Sequence, residues 1–165
     1  MRMLLALTAS VAMAACATSS ATPPNTTAGP SVTPPPPGTV SASTPAAATW
    51  RASLRSTNGT SMSGRATVTP STSGGATATV SLQDATPGEV HPWHVHVGTC
   101  ASGGGIVGPA SAYTPLTVTG GGNANGTAAI PVTLDPAQSY HVNIHQSPTD
   151  MGTIVACGDL SASRS

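Results

Sequence analysis

Past Ala48 the chain consists of short runs of Val, Thr, Ile and Ala, each cut off by Gly, Pro, Asn or Asp. Turn dipeptides recur at Asn58-Gly59, Gly74-Gly75, Pro87-Gly88, Asn125-Gly126 and Asp135-Pro136. β-Branched residues suit a pleated, half-buried surface, whereas Gly and Pro punctuate it. No apolar stripe at helical spacing competes with this pattern. It predicts strands over residues 49–55, 63–69, 76–82, 90–97, 116–119, 126–134, 139–146 and 153–160. About eight short strands so spaced predict an all-β fold, an antiparallel Greek-key sandwich or barrel.

The first segment reads differently. Arg2 supplies a positive start, an apolar stretch follows to Met13, and Ala14-Ala15-Cys16 gives a small-residue cleavage context. The stretch is shorter than the roughly 20 apolar residues a bilayer span needs. Residues 1–15 are therefore expected to be a signal peptide. Cys16 resembles the lipid-modified cysteine of a bacterial lipobox, which predicts a lipid anchor in the cell envelope, facing the periplasm or the cell surface. Residues 16–48 are Thr, Ser, Ala and Pro, including four consecutive prolines at 34–37. Such a composition buries too little apolar surface to offset its ordering entropy, and it predicts a disordered linker. One domain, residues 49–165, remains.

With Cys16 assigned to the anchor, Cys100 and Cys157 are left as a disulfide pair in an oxidising compartment. Charge is sparse. The chain has no Lys, five Arg, and a formal net charge of +0. No basic stripe exists to track a phosphate backbone, so a nucleic-acid partner is not expected.

The chemistry concentrates in histidine. In Val90-His91-Pro92-Trp93-His94-Val95-His96, two imidazoles stand at i and i+2. On a strand they project from one face with α-carbons roughly 6.6 Å apart, close enough to share one metal ion. Trp93, Val95 and Val97 take the opposite parity and are expected to face a core. A second histidine-bearing strand follows at Tyr140-His141-Val142-Asn143-Ile144-His145. The bland alternative for each histidine is an exposed polar position on a solvated strand. His141 shares parity with His145 but stands about 13 Å from it along an extended strand, a difficult reach for one ion. It is a candidate fourth donor, or a group that orients another imidazole, with Asn143 between them as a hydrogen-bond partner. Asp150 reads as a turn residue, and the glycine runs at 103–105 and 120–122 as flexible turns.

These residues resemble the copper,zinc superoxide dismutase family. The family's His-Gly-Phe-His-x-His motif is met by His91-Pro92-Trp93-His94-Val95-His96, and its Gly-x-Cys by Gly98-Thr99-Cys100. Its Val-x-His strand is met by the strand that carries His145. Its Ala-Cys-Gly segment is met by Ala156-Cys157-Gly158. The resemblance implies a dismutase-like β-fold, copper held by His94, His96 and His145, and a disulfide between Cys100 and Cys157. It also implies a structural role for His91, which would hydrogen-bond backbone near the copper strand.

The departures are equally specific. The family's bridging histidine follows a Gly-Pro, and here Ala110 follows Gly108-Pro109. Its remaining zinc ligands belong to the same loop, yet residues 101–134 contain no His, Asp or Glu. The family's catalytic arginine is replaced by Ile154. The expected centre is thus copper alone, with zinc not expected. Its expected action is either disproportionation of superoxide to oxygen and peroxide or, without catalysis, holding and delivering the copper ion. A structural β-module with remnant histidines is the third reading.

Overall fold

A computed structural model describes residues 48–163. The expected signal peptide, Cys16 and nearly all of the expected linker lie outside the described residues. Nine strands alternate with turns: β1 (Thr49–Ser56), β2 (Ser63–Pro70), β3 (Ala76–Gln83), β4 (Val90–His91), β5 (Trp93–Val97), β6 (Leu116–Thr117), β7 (Ala124–Ile130), β8 (Tyr140–Ser147) and β9 (Asp150–Ser163). Seven form one curled antiparallel sheet in the order β5-β8-β9-β1-β2-β3-β7, while β4 pairs with β6. The chain leaves β3, builds β4 to β6, and returns as β7 beside β3. Later β9 pairs with β1. These crossovers are what a Greek-key β-barrel or sandwich requires.

Alternation fixes the core. Trp50, Ala52 and Leu54 on β1 point inward with Ala66 and Val68 on β2, Ala78, Val80 and Leu82 on β3, and Val142 and Ile144 on β8. Many of these side chains are small, and the two tryptophans supply much of the bulk. Trp93 packs edge-on against Tyr113 at 5.2 Å, and Trp50 against Tyr140 at 6.3 Å. The Cys100–Cys157 disulfide is formed, with α-carbons 6.0 Å apart. It ties the loop after β5 to the middle of β9.

Several expected boundaries shift, each for a local reason. The strand expected over 90–97 splits at Pro92, which offers no N–H to a ladder, so β4 and β5 join different sheets. Pro131 likewise ends β7 at Ile130, short of the expected 134. Asn125-Gly126 is no turn: it lies inside β7, paired with Ser81 and Val80. A β-carbon at Gly126 would have to displace a Leu116 methyl and would crowd the Trp93 indole. Val97 does not reach the core but is 40% exposed. It ends β5, and Gly98, with φ of 93°, turns the chain away immediately after it.

Candidate metal centre

β5 and β8 are antiparallel neighbours, with His94 opposite Asn143 and His96 opposite His141. The sheet's alternation sends Trp93 and Val95 inward and His94 and His96 to the opposite face. That face is not open to solvent. After Cys100 the chain doubles back along the free edge of β5: Val97 N–H donates to the Gly105 carbonyl at 3.0 Å, and Val107 N–H to that of Val95 at 2.9 Å. Tyr113 closes one side, its ring edge-on to His94 at 5.2 Å and its hydroxyl donating to the Val107 carbonyl at 2.7 Å. All five histidines of the chain are buried.

Three of them converge. His94, His96 and His145 each offer a ring nitrogen such that all three atoms lie within 4.8 Å of one another. Their ring centroids are 5.2 to 6.2 Å apart. Backbone carbonyls fix two of the tautomers. His96 Nδ1 donates to the Gly104 carbonyl at 2.9 Å, and His145 Nδ1 to that of Met151 at 2.7 Å. A carbonyl only accepts, so each Nδ1 carries the proton and each Nε2 presents a lone pair. The His96 Nε2 is buried without a partner, and the His145 Nε2 stands 3.1 Å from His94 Nδ1. Orphaned buried nitrogens cost stability unless something binds them. Carbonyl-oriented imidazoles are also the usual form of metal-ligating histidine. The donor set therefore fits a metal ion.

Electrostatics point the same way. Burial first, and then the neighbouring His145 and His96, lower the His94 pKa from 6.5 to about 4. Burial also lowers those of His96 and His145, partly offset by their carbonyl hydrogen bonds. All three rings are neutral at pH 7, as ligation requires. Burial pushes the Tyr113 phenol up to about 12, so it stays a hydrogen-bond donor there.

The remaining expected residues fall as follows. His91 is buried, and its Nδ1 donates to the His145 carbonyl at 3.0 Å, which steadies the backbone of one donor. Its other nitrogen lies 3.2 Å from a Glu89 carboxylate oxygen, a pairing that spacing alone did not single out. His141 is not part of the converged set. It is fully buried and stacks on the His96 ring at 5.2 Å, with rings inclined by 22°. Asp150 is a turn residue, its carboxylate accepting from Thr153 N–H at 3.1 Å. Asp159 accepts from Cys100 N–H at 2.7 Å and so braces the disulfide loop.

Sequence reasoning missed the groups that aim the donors, Gly104 and Met151, because both act through carbonyl oxygens. The one available signal was the glycine run at 103–105. Gly104 takes a φ of 158° and lies against the Val97 backbone, where a side chain would not fit. No protein-family model matches the chain, and no curated protein matches it.

Proposed function

We propose that this protein is a copper-binding lipoprotein of the bacterial cell envelope, similar to copper,zinc superoxide dismutase but with a copper-only centre. The observation that carries this reading is the convergence of three buried imidazoles from two strands, two of them locked in the ligating tautomer. Imidazole suits copper, and Cu²⁺ heads the divalent affinity order. His94, His96 and His145 would hold the ion, which would supply one-electron redox chemistry with superoxide as substrate. The formed disulfide accords with an oxidising compartment.

Ile154, where the resemblance calls for an arginine, favours a second reading: a protein of the same fold that holds or delivers copper without dismutation. Ile154 sits on β9 opposite His145 and brings no charge. Nothing there would draw an anion from a distance.

Copper loading tests the shared part. The full chain is expected to retain one copper per molecule against a competing chelator, and a His94→Ala/His96→Ala variant none. Equal retention by both would remove the metal reading. Superoxide consumption by the loaded protein, set against the same amount of free copper, then separates enzyme from holder. A rate no better than the free ion would leave the holder.

A further inference from the structure

Three imidazoles leave at least one position on a bound ion for something else, and the surroundings of that position bear on what it accepts. A surface groove of about 500 Å³ runs beside the centre, lined by Thr57, Asn58, Asn143, Thr153 and Ile154, with Gly103, Gly152 and the disulfide completing it. It shares its walls with the donor-orienting backbone: Gly103 precedes Gly104, which holds His96, and Gly152 follows Met151, which holds His145. None of its lining residues carries a formal charge.

Within this wall Asn143 is unlike its neighbours. It stands directly across from His94 on one side and from Cys157 on the other. On its own strand it lies two residues from both His141 and His145, so its side chain shares the imidazole face. It is half-buried where the flanking residues are buried. Asn58 is already committed to the Ile154 carbonyl, at 2.7 Å, and Thr57 donates to the same oxygen. Among the described residues the Asn143 carboxamide makes no such bond. It is a polar group beside the donors, reachable from the groove and free to bond a ligand.

We propose that Asn143 is a specificity-determining residue of the metal centre, its carboxamide hydrogen-bonding a small monoanionic ligand at the position the imidazoles leave. The inference rests on the copper reading above. An amide selects by contact, through donor and acceptor geometry, and adds no long-range attraction. Ligand binding is therefore expected to depend little on ionic strength.

Azide is the probe, titrated into the copper(II)-loaded full-length protein and followed by visible absorption and electron paramagnetic resonance. Copper affinity is measured separately by chelator competition. Asn143→Leu, of similar size, is expected to hold copper within about twofold of the parent and to bind azide about tenfold more weakly, the loss of one charge-assisted hydrogen bond. Asn143→Asp is expected to weaken azide further while leaving binding of neutral imidazole within about twofold. Unchanged azide affinity in Asn143→Leu would overturn the assignment. So would parallel loss of copper and azide in both variants, which would make Asn143 a support of the donor set. If the parent protein itself takes up no copper, the metal reading fails at the first measurement and this proposal with it, a result distinct from either.

Discussion

Two halves of one sheet obey the same alternation and end with opposite outward faces. On β1, β2, β3 and β7 the outward residues are Arg51, Ser53, Arg55, Arg65, Thr67, Thr79, Ser81 and Thr127, exposed or half-buried. On β5 and β8 they are His94, His96, His141, Asn143 and His145, and all but Asn143 are buried. The difference is not in the strands. It lies in the segment from Cys100 to Tyr113, which folds over one half and leaves the other to water. Covering a polar face removes its solvent partners, and each nitrogen that finds no new one is left there at a cost. Two Nδ1 atoms find carbonyls, while the Nε2 of His96 and both ring nitrogens of His141 have no partner among the described residues. A cover over a polar strand face is what converts ordinary alternation into a buried cluster of imidazoles that could hold an ion.

The largest expected effect comes from detaching that cover. Cys100→Ser/Cys157→Ser opens a crosslink between residues 57 apart. The chain-entropy model gives a loss of about 4 kcal/mol, which lowers the melting temperature by roughly 15 °C. Denaturant unfolding of the apoprotein measures it. The comparison adds a second outcome: hydrogen exchange is expected to rise over β5 and the 98–107 segment and to stay unchanged over β2 and β3. Uniform exchange across both halves would mean that the edge pairing of Gly105 and Val107 holds the cover without the crosslink.

Next comes pH. The His94 pKa is depressed on folding, from 6.5 to about 4, and those of His96 and His145 are lowered too. Between these values the unfolded chain binds more protons than the folded one, so stability rises with pH there. The contribution is fully present above about pH 6.5 and is lost as pH falls toward 4. Thermal melts of the apoprotein are expected to drop by on the order of 10 °C over that window. His94→Phe, which fills the site without titrating, flattens the dependence. A slope unchanged by His94→Phe would place the titration elsewhere.

How much of this was legible beforehand follows the same division. Strand faces could be read from alternation, so His94, His96 and the all-β class were open to inspection, and the cysteine pair followed from counting. The cover was not legible, because residues 101–112 are Gly, Ala, Ser, Ile, Val and Pro with no periodicity. Its hydrogen bond to the site comes from the Gly104 carbonyl oxygen, a group every residue owns. The chain breaks at Pro92 and Pro131 were visible as residues, but which ladder bond each would delete depended on pairing partners far along the chain. The placing of His141 was hidden for a related reason: parity put it on the same face as His94 and His96, while register set it opposite His96, on whose ring it stacks.

A smaller effect isolates the carbonyl. Gly104→Ala places a β-carbon against the Val97 backbone, so the Gly104 carbonyl that orients His96 must move. Loss of such a support costs about 10- to 100-fold in metal affinity. Copper retention is expected to fall by about tenfold, while Gly59→Ala, which meets open space, leaves it unchanged despite its own backbone strain. Equal retention in the two would show that His96 is aimed by its stacking on His141 alone.

The smallest effect belongs to the open half. Arg65 on β2 is exposed and stands opposite Ser53 and Ser81. Thr79 on β3 is likewise exposed, opposite Thr67. Arg65→Ala removes an exposed polar group, and Thr79→Ala an exposed hydroxyl whose one hydrogen bond, to the Thr67 carbonyl, is long at 3.5 Å, so each should change stability by no more than about 0.5 kcal/mol. The matching change on the covered half, His141→Ala, deletes a fully buried ring packed on His96 and leaves a cavity. That costs about 2 kcal/mol or more if packing dominates. It costs less to the extent that removing two unpartnered ring nitrogens relieves a desolvation penalty. Chemical denaturation of the three variants reads the contrast directly. If His141→Ala proves as mild as Arg65→Ala, the penalty and the packing cancel there, and the cover owes its position to the disulfide and the β5 edge alone.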